Sequence, residues 1–245
     1  MSPGDLAGLC ALVFVAALLY SMVGHAGASG YLAAMALVGI APAVMKPTAL
    51  TLNILVATVG TVQFVRAGRF SWSLFWPFAL GSVPFAFLGG SLALPIPLYK
   101  SLLALVLLYA ATRLFRTSTG SGAESRALRR PIAVASGAGI GFLSGLTGVG
   151  GGIFLSPLMN IMGWADARRT AGVSIAFILV NSVSGLLGHL SSVRFLPREI
   201  GILAGVALVG GFIGSTLGSR RLPNPVLRRL LAVVLLVAAA KLFFV

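Results

Sequence analysis

No Asp or Glu lies inside any of the long apolar runs that make up this chain: Asp5, Glu124, Asp166 and Glu199 all fall at run ends or in linkers. The runs are Leu6 to Val23, Ser29 to Pro42, Pro47 to Val65, Trp72 to Leu94 and Leu98 to Phe115, then Pro131 to Leu146, Ile153 to Met162, Thr170 to Leu190, Glu199 to Gly218 and Val226 to Val245. Apolar stretches of this length without internal acids belong in hydrocarbon, where backbone groups must be satisfied within the protein. A β-barrel would show segments of about ten residues alternating polar and apolar, and these runs do not alternate. Composition agrees: 58% of the residues are hydrophobic and 9% charged, whereas soluble domains are roughly a quarter charged. The expected fold class is an all-α polytopic membrane protein.

The net charge of +14, from 18 Lys and Arg against 4 Asp and Glu, would point to nucleic acid in a soluble protein. Here the basic residues sit between apolar runs, as the positive-inside rule expects, so no nucleic-acid partner is called for. Cys10 is the one cysteine and can build neither a disulfide framework nor a metal site. No cofactor is expected. Residues 1 to 23 are not expected to be a cleaved signal, because no Lys or Arg precedes the first apolar run.

Two runs, Ser29 to Pro42 and Ile153 to Met162, are shorter than the roughly 20 residues a crossing helix needs. Each follows a glycine-rich break: GHAGASG, Gly24 to Gly30, and the cluster Gly148, Gly150, Gly151 and Gly152. Glycine costs about 1 kcal/mol against alanine in a helix interior, so something must compensate. Unwound backbone at membrane depth is tolerated where it is buried in protein or lines a cavity, which makes both breaks candidate binding sites.

The pattern occurs twice. Leu94 to Phe115 over Leu222 to Phe243, at an offset of 128, gives 13 identities in 22 positions and aligns both prolines. A first repeat over residues 1–115 and a second over 131–245 follow, joined by the polar stretch at 116–130, together forming one membrane domain. Each repeat would carry a broken or re-entrant short helix pair followed by three transmembrane helices. An odd number of crossings per half inverts the second half. With the linker in the cytoplasm, 13 basic residues fall inside and 5 outside (Lys46, Lys100, Arg194, Arg198 and Lys241), which places both termini outside the cytoplasm. Inverted repeats with matching broken segments are the pattern of a secondary transporter.

With neither acids nor, on this reading, basic residues inside the membrane, an anion is the better-suited cargo than a cation, although backbone carbonyls could still hold sodium. Helix N-termini carry about +0.5 charge each, so two breaks would supply roughly +1. The candidate substrate-binding residues are His25, Gly27, Ala28, Ser29 and Gly30 from the first break, and Thr147, Gly150, Gly151 and Gly152 from the second. Asn53, Ser174 and Asn181 lie in the runs that follow and could reach the same cavity. His25 is also the candidate for carrying a coupled proton; its alternative role is a neutral residue bonded to a backbone carbonyl. His189, near a run end, is expected at the interface, as are Trp72, Trp76, Trp164 and Tyr99. Gly137, Gly141 and Gly145, like Gly210, Gly214 and Gly218, have the small-xxx-small spacing of close helix packing.

The second-half stretch GFLSGLTGVGGGIFLSPLMNIMGWADARRTAGVS, with VGHAGASGYLAAMALVGIAPAVMKPTALTLNILVATVGTVQFVRAG in the first half, resembles the sulfite exporter TauE/SafE family of bacterial membrane transporters. The resemblance covers nearly the whole chain. It implies transport of sulfite, of sulfonates such as sulfoacetate, or of related small organic anions, with export and an inner-membrane location inherited from the family.

Two other classes bear weighing. A channel could use the same pore elements. Gly27 to Gly30 also fits the G-x-S-G pattern of intramembrane serine proteases, with His25 or His189 as base; the second half lacks the serine, and a protease gives no reason for a duplication. Ser29→Ala would abolish proteolysis but only weaken transport. The expected partners are a small anion and the lipid bilayer, with the chain either a monomer or a homodimer.

Overall fold

The computed structural model describes residues 2–116, 126–190, 199–220 and 225–244. All regular structure among them is helical: α1 (Pro3–Met22), α2 (Ala28–Val38), α3 (Pro42–Arg66), α4 (Trp72–Ser91), α5 (Ile96–Arg116), α6 (Arg130–Thr147), α7 (Gly152–Met162), α8 (Ala167–His189), α9 (Ile200–Arg220) and α10 (Pro225–Phe244). Each apolar run of the sequence is one helix. Most of the polar stretch at 116–130 lies outside the described residues, as do Arg194 and Arg198; at its end the Arg126 N–H donates to the Gly163 carbonyl at 2.7 Å.

Among the described residues α1, α3, α4, α5, α8 and α9 are each long and apolar enough to cross a bilayer. The 11-residue helices α2 and α7 rise about 16 Å each, half of a 30 Å hydrocarbon core. The chain is therefore a multi-pass membrane protein in which two apolar helices, α2 and α7, are too short to cross on their own.

Local chemistry explains several boundaries. Ser2 and Asp5 form a capping box at the start of α1, with Pro3 in the first turn. Asp166 caps α8 through one carboxylate oxygen that accepts from the N–H groups of Arg168 and Arg169, both at 2.9 Å. Removing that acceptor in Asp166→Ala should cost about 1 kcal/mol and lower the thermal unfolding midpoint by roughly 2–4 °C. An unchanged midpoint would show the cap to be dispensable.

Helix α3 begins at Pro42, five residues before the start read from the sequence, and Pro47 lies inside it. An interior proline normally costs about 3 kcal/mol. Packing offsets that here, since Met45 to Leu50 are all buried. The earlier start has a consequence for Lys46, which it draws into the helix.

Glycines set how the helices pack. A Cβ built on Gly137, Gly141 or Gly145 of α6 would stand 2.5, 2.3 and 2.1 Å from the carbonyl oxygens of Phe78, Ser82 and Ala86 on α4. Gly210, Gly214 and Gly218 of α9 meet the carbonyls of Phe14, Leu18 and Met22 on α1 in the same way, at 2.7, 2.1 and 2.2 Å. This is backbone-on-backbone packing, available only where side chains are absent. In both pairs the residue numbers climb together, so the helices run parallel. Between α3 and α8 the contacts are Leu50 with Gly185, Asn53 with Ser182 and Gly60 with Ile175, so one set of numbers falls as the other rises. That central pair is antiparallel.

Candidate functional site

Both broken segments are built from glycines in the left-handed region. Gly24, Gly27, Gly148, Gly150 and Gly151 have φ of 78, 108, 81, 82 and 83°, a conformation that costs other residues about 1–2 kcal/mol. Gly27 caps α2 and Gly151 caps α7, neither with a side-chain bond. The first backward bond of α2 is from the Tyr31 N–H to the Gly27 carbonyl at 2.9 Å, and α7 closes onto the Gly151 carbonyl through Phe154 and Leu155. The N–H groups of Ala28, Ser29 and Gly30, and those of Gly152 and Ile153, thus precede the helical ladder and carry the positive end of each helix dipole.

The two breaks touch. His25, two residues before the α2 cap, places Nε2 3.1 Å from the carbonyl oxygen of Gly152, the first residue of α7, and 2.9 Å from Ser156 Oγ. Only a protonated Nε2 can donate to that carbonyl. Ser156 Oγ lies 2.8 Å from Ser174 Oγ on α8, extending the contact from the first break through α7 to α8. Beside it, a Cβ on Gly150 would stand 2.7 Å from Asn53 Nδ2 and 3.2 Å from Ser182 Oγ, and Asn53 Nδ2 donates to that hydroxyl at 3.3 Å. Gly151 packs against Ile140, Phe177 and Ser144.

Of the residues singled out in the sequence, His25, Gly152 and Ser174 join one hydrogen-bonded chain, and Asn53 adjoins Gly150. Others turn away. The Ser29 hydroxyl donates to the Tyr20 phenol at 2.6 Å, and Ser29 is 2% exposed. Thr147 Oγ1 donates back to the Leu143 carbonyl at 2.7 Å, and Asn181 Nδ2 to the Phe177 carbonyl at 2.8 Å. Three fully buried polar atoms, Asn53 Oδ1, Asn181 Oδ1 and Ser144 Oγ, have no hydrogen-bond partner among the described residues, which is uncommon for buried groups.

Ser156, Ser182, Tyr20 and Tyr31 were not read from the sequence. Ser156 had a signal, since it stands one turn into the short helix after the second glycine cluster. Tyr31, whose hydroxyl donates to the Ala26 carbonyl at 2.5 Å and so pins the first break, had none.

Two expectations fail on burial. Basic residues were expected to be absent from the interior, yet Lys46 is 5% exposed, in the second turn of α3. His189, expected at the interface, is 9% exposed. Trp164 and Tyr99 are also buried, Trp164 against Phe78 and Tyr99 donating to the Thr147 carbonyl at 3.3 Å. Trp72, by contrast, is exposed, and Trp76 carries the Arg130 guanidinium over its ring.

Comparison with known proteins fits a helical transporter. A probable membrane transporter protein, y4hK, of Sinorhizobium fredii is 41% identical over 241 residues, covering 97% of this chain and 98% of its own. The probable membrane transporter protein YjnA of Bacillus subtilis is 27% identical over 248 residues, covering 94% and 96%. A probable membrane transporter protein of Xylella fastidiosa matches over 88 residues at 32% identity, about a third of each chain. No solved structure gives a significant match. Residues 9–242 match the sulfite exporter TauE/SafE family, and with that span of the fold accounted for, the chain belongs to this family of membrane transporters.

Proposed function

We propose that the chain is a secondary transporter moving a small anion, sulfite or an organosulfonate, outward across the bacterial inner membrane by alternating access between its two broken helices. The carrying observation is the meeting of the breaks, with His25 of the first 3.1 Å from the carbonyl of Gly152 in the second. Two uncapped helix N-termini close to a histidine offer positive potential without a fixed charge, which suits an oxyanion held weakly enough to leave. The family description names sulfite.

The halves, 1–115 and 131–245, read as inverted copies in one membrane domain. In favour of inversion, the central helices α3 and α8 are antiparallel, as two copies related by an axis in the membrane plane would be. The pairs Asn53 with Ser182 and Gly60 with Ile175 exchange under a single shift of 122 residues. Charge bias then assigns the linker to the cytoplasm and both termini to the outside. The two faces are unequal. A Cβ on Gly24 would meet Ala171 Cα at 2.4 Å, whereas one on the matching Gly148 finds its nearest neighbour, Lys46 Cγ, at 3.1 Å. Both faces are nonetheless closely packed.

This is a carrier rather than an enzyme. A protease would need the Ser29 hydroxyl free to attack; it is committed to Tyr20 instead.

Proteoliposomes loaded in turn with sulfite, sulfoacetate, taurine and lactate, with and without a pH gradient, test the reading. Sulfite or sulfoacetate should leave, and lactate alone would reassign the substrate to carboxylates. Movement of a cation with every anion retained would overturn it. His25→Ala removes the link between the breaks and should slow efflux about ten-fold, the effect of one charged or buried hydrogen bond.

A further inference from the structure

A second polar feature lies outside the His25 contact. The N-terminal turns of α3 and α5, the segment after α4 and the C-terminal ends of α6 and α8 enclose a cavity of about 310 Å³, lined by Lys46, His189 and Tyr99 among apolar neighbours such as Pro42, Leu94 and Leu146. That volume is at the low end for small-molecule sites, room for an ion with some water rather than for a large metabolite.

Lys46 is the one Lys, Arg, Asp or Glu in that lining. Lys46 Nζ donates to the Gly90 carbonyl at 3.1 Å, which occupies one of three N–H donors. No carboxylate among the described residues pairs with it, and the undescribed stretch after Leu190 contains no acid. Lys46 sits near the start of α3, whose N-cap Ala41 offers no side-chain acceptor, and the C-terminal ends of α4, α6 and α8 beside it supply partial negative charge but no full counter-charge. Lys241 likewise donates to a carbonyl near a helix C-terminus, Leu37 of α2, but it is only partly buried, whereas Lys46 is 5% exposed and lines a cavity. Burying a cation without a partner is costly, and charges in protein interiors are paired or neutralised. His189 Nδ1 adds a polar atom with no partner among the described residues.

The cavity also abuts the second glycine break. The nearest atoms to a Cβ on Gly148 are those of Lys46, and the Tyr99 hydroxyl holds the Thr147 carbonyl immediately before it.

We propose that this cavity is an anion-binding site, distinct from the contact between the breaks, in which Lys46 is the charge-recognising residue and a small oxyanion its counter-ion. The inference rests on the anion-transport reading and gives it an entrance: the ion docks on Lys46 and passes Gly148 to reach the break.

The test uses the full-length protein in detergent and two probes, sulfite and sulfate. Each should raise the thermal unfolding midpoint of the wild type in a saturable manner. In Lys46→Met the apparent dissociation constant should rise at least about ten-fold, as expected for loss of a charged donor, while Lys46→Arg should stay within about three-fold. A folded Lys46→Met protein with the wild-type constant overturns the proposal.

A readout on the wild type guards against a variant that does not fold. Lys46, Lys100 and Lys241 are the only lysines, so reductive methylation followed by peptide mass spectrometry resolves them. Sulfate, which unlike sulfite does not consume the formaldehyde reagent, should slow methylation of Lys46 at least about five-fold relative to Lys100, a protection expected at concentrations several times the dissociation constant; equal relative rates with and without sulfate overturn the site. Protection at Lys46 in a protein that moves no anion would sink the transport reading alone, whereas sulfite efflux without protection would sink this site alone.

Discussion

Gly145→Val is expected to leave no folded transporter. A Cβ at that position would lie 2.1 Å from the Ala86 carbonyl oxygen and 2.7 Å from the Gly90 N, both backbone atoms of α4, and a Cβ on Gly185 of α8 would in turn lie 3.5 Å from the Gly145 Cα. Neither α4 backbone atom can swing aside as a side-chain tip could. Relief would require α4 and α6 to separate along a seam that continues through Gly81 and Gly89, whose own Cβ positions fall 2.1 and 2.3 Å from α6 carbonyls. Overpacking a well-filled interior typically costs about 1–3 kcal/mol and more where the backbone must move, a large part of a marginal stability. The yield of monodisperse protein on size-exclusion chromatography should fall to background. Gly139→Val is the control, since a Cβ there meets nothing within 4 Å. Monodisperse Gly145→Val protein with the wild-type unfolding midpoint would refute the account of the α4 and α6 seam.

The second large effect is on transport with the fold retained. Gly150→Ala puts a Cβ at φ +82°, at a strain of about 1–2 kcal/mol, and directs it to within 2.7 Å of Asn53 Nδ2 and 2.8 Å of Ile178 Cγ2. Asn53 and Ile178 belong to the antiparallel pair α3 and α8, so the methyl group wedges the centre of the molecule beside the two breaks. Efflux per folded protein should drop about 100-fold, equivalent to roughly 3 kcal/mol. Gly68→Ala separates strain from position, having φ +68° but open space around the Cβ, and should transport normally. Equal rates for the two variants would remove Gly150 from the transport pathway.

The sequence carried the helical order nearly complete because hydrophobic length and glycine breaks are local signals. Long runs became α1, α3, α4, α5, α8 and α9, and the two short runs became the two half-length helices. Even the cap at Asp166 is local. What failed is burial set by distant chain. Lys46 reads as a run end because it is charged and precedes Pro47, yet Gly90 and Gly148, 44 and 102 positions away, enclose it. His189 follows the same logic, sitting at the last turn of α8 where the sequence shows only an approaching end. The hydrogen bonds of Ser29 to Tyr20 and of Asn181 Nδ2 to the Phe177 carbonyl likewise have no pattern in the sequence that announces them. Glycine was the exception, legible both as packing and as break, because its spacing distinguishes the two.

The parallel seam between α1 and α9 also governs how such a chain can be made. Phe14 waits for Gly210, 196 residues downstream. At about 5–20 residues per second of synthesis, α1 spends roughly 10–40 s in the membrane with its carbonyl-lined face against lipid. That face is therefore without its packing partner until the second half arrives.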